Sequence, residues 1–113
     1  MKVIDTKTGF PIGKNIWAAT SFWPRLIGFM FRKSPAPFDG IFFPGCKWVH
    51  NSFVRFPIDV VFIANDGKII KIIRNFKPWQ VSGVYFTARH TIEFAEGVLP
   101  KTISVGDQLI IEL

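Results

Sequence analysis

The sequence predicts a mainly β chain, a barrel or sandwich of mixed strands with one short α-helix near residues 21–31, and three observations predict it. Hydrophobic residues make up 49% of the 113 positions and aromatics 16%, a composition that can bury a core instead of staying disordered. Short runs rich in Val, Ile and Phe recur along the whole chain, as β-branched and aromatic residues do in strands. Gly, Pro and Asn-Asp-Gly signals separate those runs. The length suffices for one core and not for two, so residues 1–113 read as a single domain.

Each element has its own justification. "KVID" (2–5) opens, "TKTGFPIG" (6–13) turns, and "NIWAAT" (15–20) returns, giving an expected first hairpin. The expected helix follows: Thr20 or Ser21 caps it, Pro24 is tolerated in its first turn, and Leu26, Phe29 and Met30 fall at core-facing spacing. "KSPAPFDG" (33–40) stops it, because prolines and glycine continue neither helix nor ladder. The remaining expected strands are "IFFP" (41–44), "KWVHNSFVRF" (47–56), "IDVVFIA" (58–64), "KIIKIIRNF" (68–76), "VYFTA" (84–88), "TIEFA" (91–95) and "DQLIIEL" (107–113). "NDG" turns at 65–67, "KPWQVSG" (77–83) is a loop, and Asp107 in the "VGD" turn is placed for its carboxylate to bond the local backbone.

Composition narrows the function classes. No apolar stretch approaches the roughly 20 residues of a membrane-spanning helix, and "MKVIDTKTGFPIGKN" lacks the apolar core of a signal peptide, so a cytoplasmic location is expected. One cysteine, Cys46, cannot form an internal disulfide, which fits a reducing compartment. The net charge of +6 and pI of about 9.8 favour anionic partners. The bases are spread along the chain, however, and Lys68, Lys71, Arg74 and Lys77 scatter over both faces if their segment is a strand.

The stretch "WVHNSFVRFPIDVVF" (48–62) sets His50, Arg55 and Asp59 inside an apolar run. In an unbroken strand Arg55 and Asp59 would stand roughly 13 Å apart on one face. Pro57 between them cannot donate to a ladder and marks a break, where a bend could bring them together. The structural reading is that Asp59 accepts backbone N–H groups at a corner or pairs with an arginine. The functional reading is that His50, Arg55 and Asp59 line a pocket at the bend.

"GFMFR" (28–32), "HNSFVRFPIDVVF" (50–62), "GKIIKI" (67–72), "KPW" (77–79), "TIEFAEG" (91–97) and "VGDQL" (105–109) stand in an order that resembles the motifs of the domain of unknown function one hundred and ninety-two. That family comprises small bacterial and archaeal proteins without an established activity. The resemblance runs from about Ala18 to the C-terminus and covers Gly28, Arg32, His50, Arg55, Pro57, Asp59, Glu93, Gly97, Gly106 and Asp107. Phe29 and Val54 stand where relatives usually carry leucine and methionine, apolar for apolar. The resemblance implies a compact, mainly β fold with one short helix and supplies no catalytic residue.

Four functional readings compete. Cys46, His50 and Asp59 contain the residue types of a nucleophile, base and orienter, although a lone cysteine in a Phe-rich chain is more often an inert small hydrophobe. The two histidines show no zinc-like spacing, and nothing in the sequence converges Asp59, Glu93, Glu96 and Asp107 on a cation, so no metal or other cofactor is expected. Single-stranded nucleic acid suits a basic domain with Trp17, Trp23, Trp48 and Trp79, but no recognition signature is present. The preferred reading is a non-catalytic binding domain for a small molecule or protein partner, with Arg32, His50, Arg55, Asp59 and Trp79 as candidate ligand-binding residues. Surplus apolar surface also allows self-association.

Overall fold

The computed structural model describes residues 1–20, 29, 32–48 and 54–112. The expected helix over 21–31 therefore lies outside the described residues except for Phe29, as does the middle of the 47–56 segment with His50.

Among the described residues the strands are β1 (Lys2–Asp5), β2 (Pro11–Gly13), β3 (Ile16–Ala18), β4 (Gly40–Pro44), β5 (Ile58–Ile63), β6 (Ile69–Phe76), β7 (His90–Ala95) and β8 (Leu109–Glu112). They form a three-stranded sheet in the order β2-β1-β8 and a five-stranded sheet in the order β3-β4-β7-β5-β6. The mainly β expectation holds, and the five-stranded sheet is mixed, because β3 runs parallel to β4 while the other pairings are antiparallel.

Three local expectations change. The partner of β1 is β2, from inside the stretch read as a turn, whereas "NIWAAT" supplies β3 and joins the other sheet. Gly9, at φ 75°, lets the chain reverse within five residues after Asp5, so the hairpin closes earlier than the longer apolar run suggested. "VYFTA" is a loop instead of a strand, and the described ends of the 47–56 segment form no strand either.

The two sheets are stitched at both sides. Met1 and Ile16 exchange main-chain bonds beside β1 and β3. On the far side, Leu109 donates to the Gly67 carbonyl and Ile69 donates to that of Asp107, tying β8 to the start of β6. The edges of the five-stranded sheet, β3 and β6, thus both meet the small sheet, and the result is barrel-like. Gly67 makes the second seam feasible: its φ is 91°, and a Cβ there would run into the Leu109 carbonyl oxygen.

Two apolar layers flank the five-stranded sheet. Val3, Ile12, Ile16, Ile63, Ile92, Phe94 and Leu109 fill the barrel. On the outer face, Ile41, Phe43, Ile58, Val60, Phe62 and Phe76 form a second cluster that Phe29, Val54 and Ala88 help to cover. Burial on both faces explains why β5 and β7 read as near-continuous apolar runs.

Candidate functional site

Asp59 is the clearest of the expected site residues. Opposite it the register between β5 and β6 shifts, and Asn75 sits at φ 53°. Asp59 Oδ1 accepts the Asn75 N–H at 2.8 Å, so its carboxylate braces the bulge at an exposed position. Arg55 is exposed just before β5. The one ion pair among the described residues joins Lys7 to Asp107 at 2.7 Å, so Arg55 and Asp59 are not bridged.

Arg32 lies on the opposite side of the sheet's span, at edge strand β3. Its guanidinium carbon stands 5.6 Å from the Trp17 ring centroid and 5.5 Å from that of Phe38, and those two rings stack at 5.4 Å. This cation–π seat occupies the guanidinium on apolar surface.

The grouping of Cys46 with Asp59 is not brought together. The Thr91 hydroxyl donates to the Cys46 carbonyl, while Asp59 is paired with Phe94, three positions farther along β7, or roughly 10 Å. Cys46 also packs against the outer cluster, whereas Asp59 shares the parity of the barrel-facing Val61 and Ile63. Its thiol donates to the Trp48 carbonyl at 2.9 Å. A nucleophile and its carboxylate need hydrogen-bond reach through one base, which this separation does not give.

Trp79 lies in the segment between β6 and β7, which crosses the outer face like a strap. It leaves at Phe76, opposite Ile58, and Arg89 donates to the Ile63 carbonyl where it rejoins, so its ends are roughly 16 Å apart. Tyr85 pins the middle: its ring packs 4.6 Å from that of Phe62, and its N–H donates to the Lys47 carbonyl. Trp79 itself has φ 69°, within a turn closed by Lys77 N–H to Gln80 Oε1 at 2.7 Å. Of the eight large apolar side chains exposed among the described residues, five lie on this strap and the 47–48 segment tied to it: Trp79, Val81, Val84, Phe86 and Trp48. Trp79 is 64% exposed and Phe86 79%. The sequence reading missed Phe86, Val81 and Val84 as surface, because "VYFTA" has strand composition.

Glu93 is buried in the centre of β7, between Ile41 and Val60 in register. Burial pushes its carboxyl up to about 8. No group among the described residues hydrogen-bonds it. The signal available in the sequence was a lone acid at the centre of the apolar run "TIEFA".

A separate cleft of about 340 Å³ opens where β8 approaches the ends of β5 and β7, lined by His90, Asn65, Asp66, Phe42 and Ile110 among others. Nδ1 of His90 accepts the Gly45 N–H at 3.1 Å, and desolvation, then Arg89, lowers its pKa below the usual 6.5. Asp66 Oδ1 caps the Lys68 N–H in the turn.

Comparison with known proteins bears on the fold more than on the chemistry. The family model DUF192, described as an uncharacterized ACR, matches residues 4–111. A crystal structure from Sinorhizobium meliloti 1021, described as a proposed transcription regulator, is similar with a TM-score of 0.78 and 25% identity, over 96% of this chain and 89% of that one. A protein of unknown function from Novosphingobium aromaticivorans DSM 12444 is similar at a TM-score of 0.72 and 19% identity, over 97% of this chain and 82% of that one. No curated protein matches.

Proposed function

The chain belongs to the uncharacterised DUF192 family, and from that premise we propose that it is a non-catalytic binding domain that docks a macromolecular partner on the strap over its outer sheet face. The observation that carries this is the concentration of Trp79, Val81, Val84, Phe86 and Trp48 on one pinned surface segment. Contiguous exposed apolar surface mostly marks an interaction site, and Trp anchors dominate such contacts. The cytoplasm, as read from the sequence, supplies the partner. The test compares the chain with a Trp79→Ser/Phe86→Ser variant as bait in an extract of its own cells, with Phe10→Ser, an exposed apolar change elsewhere, as control. Loss of retained partners in the double variant alone supports the reading. Identical retained sets for all three baits, in soluble and membrane fractions of the extract alike, sink it.

A second reading, binding of a small molecule, rests on the cleft beside His90, whose volume lies in the range of ligand sites. It relocates the small-molecule site expected at Arg55 and Asp59, since the latter is engaged by Asn75. Native mass spectrometry of wild type and His90→Ala checks it: an adduct lost in the variant supports it, and a bare mass for both counts against it.

A further inference from the structure

From the strap's chemistry we infer that the macromolecular partner is an anionic lipid surface, which the domain meets peripherally with the strap laid against the headgroups. The inference rests on the docking reading above and names its partner. Charge sets the direction. No Asp or Glu occurs between Asp39 and Asp59 or between Asp66 and Glu93, and these two stretches supply the strap and the 47–48 segment tied to it. They carry seven bases: Lys47, Arg55, Lys68, Lys71, Arg74, Lys77 and Arg89. Arg74 is engaged by the Leu99, Pro100 and Ile103 carbonyls, Lys68 and Lys71 belong to the start and middle of β6, and Arg55 precedes β5, which leaves Lys47, Lys77 and Arg89 as the bases of the strap and its tie. Lys77 and Arg89 bracket the strap, and Lys47 sits where Tyr85 binds.

The apolar groups between those bases have the composition of a bilayer interface. Tryptophan is favoured at headgroup level, and aliphatic and Phe side chains enter the acyl boundary, while Lys and Arg are drawn to anionic lipid. A protein interface has a polar rim that ordinarily mixes signs of charge, whereas the strap and its tie carry bases alone, with the Asp59 carboxylate at the strap's foot engaged by Asn75. Presentation is rigid: Trp79 is held in the left-handed region by the Lys77–Gln80 turn, and Tyr85 fixes the middle of the strap on Phe62. No helix among the described residues is long and apolar enough to cross a membrane.

Co-sedimentation of the full chain with vesicles of phosphatidylcholine alone, or of phosphatidylcholine mixed with phosphatidylglycerol, tests the inference. Binding is expected to the mixed vesicles, to fall with added salt, and to be lost in Trp79→Ser/Phe86→Ser but not in Phe10→Ser. Lys47→Gln/Lys77→Gln should weaken it roughly 30-fold, from about fivefold per basic group near an anionic surface. Circular dichroism checks that each variant retains its β signal. Absence of binding to mixed vesicles overturns the inference, as does equal binding to neutral vesicles or binding indifferent to the double variant. If single-stranded DNA is retained instead and the double variant releases it, the lipid inference fails while the docking reading stands. If the double variant changes neither vesicle, DNA nor extract binding, both fail.

Discussion

Replacing Glu93 by Gln should abolish a pH dependence built into the sheet. Its carboxyl is pushed from an ordinary 4.5 up to about 8 by burial in the outer layer. At ~1.36 kcal/mol per pH unit, that gap corresponds to about 5 kcal/mol. The folded value lies above the unfolded one, so the fold accommodates the protonated acid. This stability is fully present below about pH 4.5, declines as the pH rises, and levels off above about pH 8. Near neutral pH the accumulated loss is roughly 3 kcal/mol, a large share of the 5–15 kcal/mol typical of a domain. Glutamine has nearly the same shape and cannot ionise, so its own burial cost is the same at every pH. Urea denaturation of wild type and Glu93→Gln at several points between about pH 5 and 8 reads the difference. The variant's relative stability should climb steadily with pH across that window. A difference constant with pH would mean that the ionised carboxylate is compensated in the folded state, and the argument from burial would be wrong.

Three further outcomes follow from the same geometry. Asp59→Ala should cost about 1 kcal/mol or less in urea melts, because it removes a hydrogen bond whose exposed Asn75 N–H water can then satisfy, and Asn75→Gly should cost far less than Asn75→Ala, since φ 53° suits glycine. Trp79→Asn should leave the melting temperature unchanged or slightly higher, as asparagine tolerates the left-handed region better, while removing vesicle binding; a marked loss of stability would make Trp79 a structural lid. The Asp107 carboxyl is held below the usual 3.8 by its hydrogen bond with Lys7, then by the Ser104 N–H. Its contribution is therefore present above that ordinary value and lost as pH falls through the folded one, so Asp107→Asn should destabilise the chain at neutral pH and differ less from wild type in acid melts.

Particular elements show where reading the sequence succeeds. The "NDG" and "VGD" turns were legible because their backbone demands are local: Gly67 and Gly106 take positive φ, and Asp66 and Asp107 accept nearby backbone N–H groups. The apolar runs of β4, β5, β6, β7 and β8 were legible for the same reason, as was Pro57 standing outside the ladder. Trp79 was legible as a loop residue from the Lys-Pro-Trp context.

The chain's own pattern determined the β class, the main turns, the basic balance and the acids set within the runs of β5 and β7. What only tertiary structure decided was which partners those residues meet. "VYFTA" has strand composition, yet its Tyr85 is drawn onto Phe62 and Lys47, so the segment becomes a strap that leaves Phe86 exposed. "NIWAAT" pairs in parallel with β4 and not with β1, because Gly9 lets β2 reach β1 first. Asp59 and Glu93 are both acids within strands, but one meets a bulge donor and the other is sealed under a second apolar layer. Local propensity sets the conformation of a short segment, whereas pairing, burial and the fate of a carboxylate depend on contacts distant in sequence, which only the closed sheet brings together.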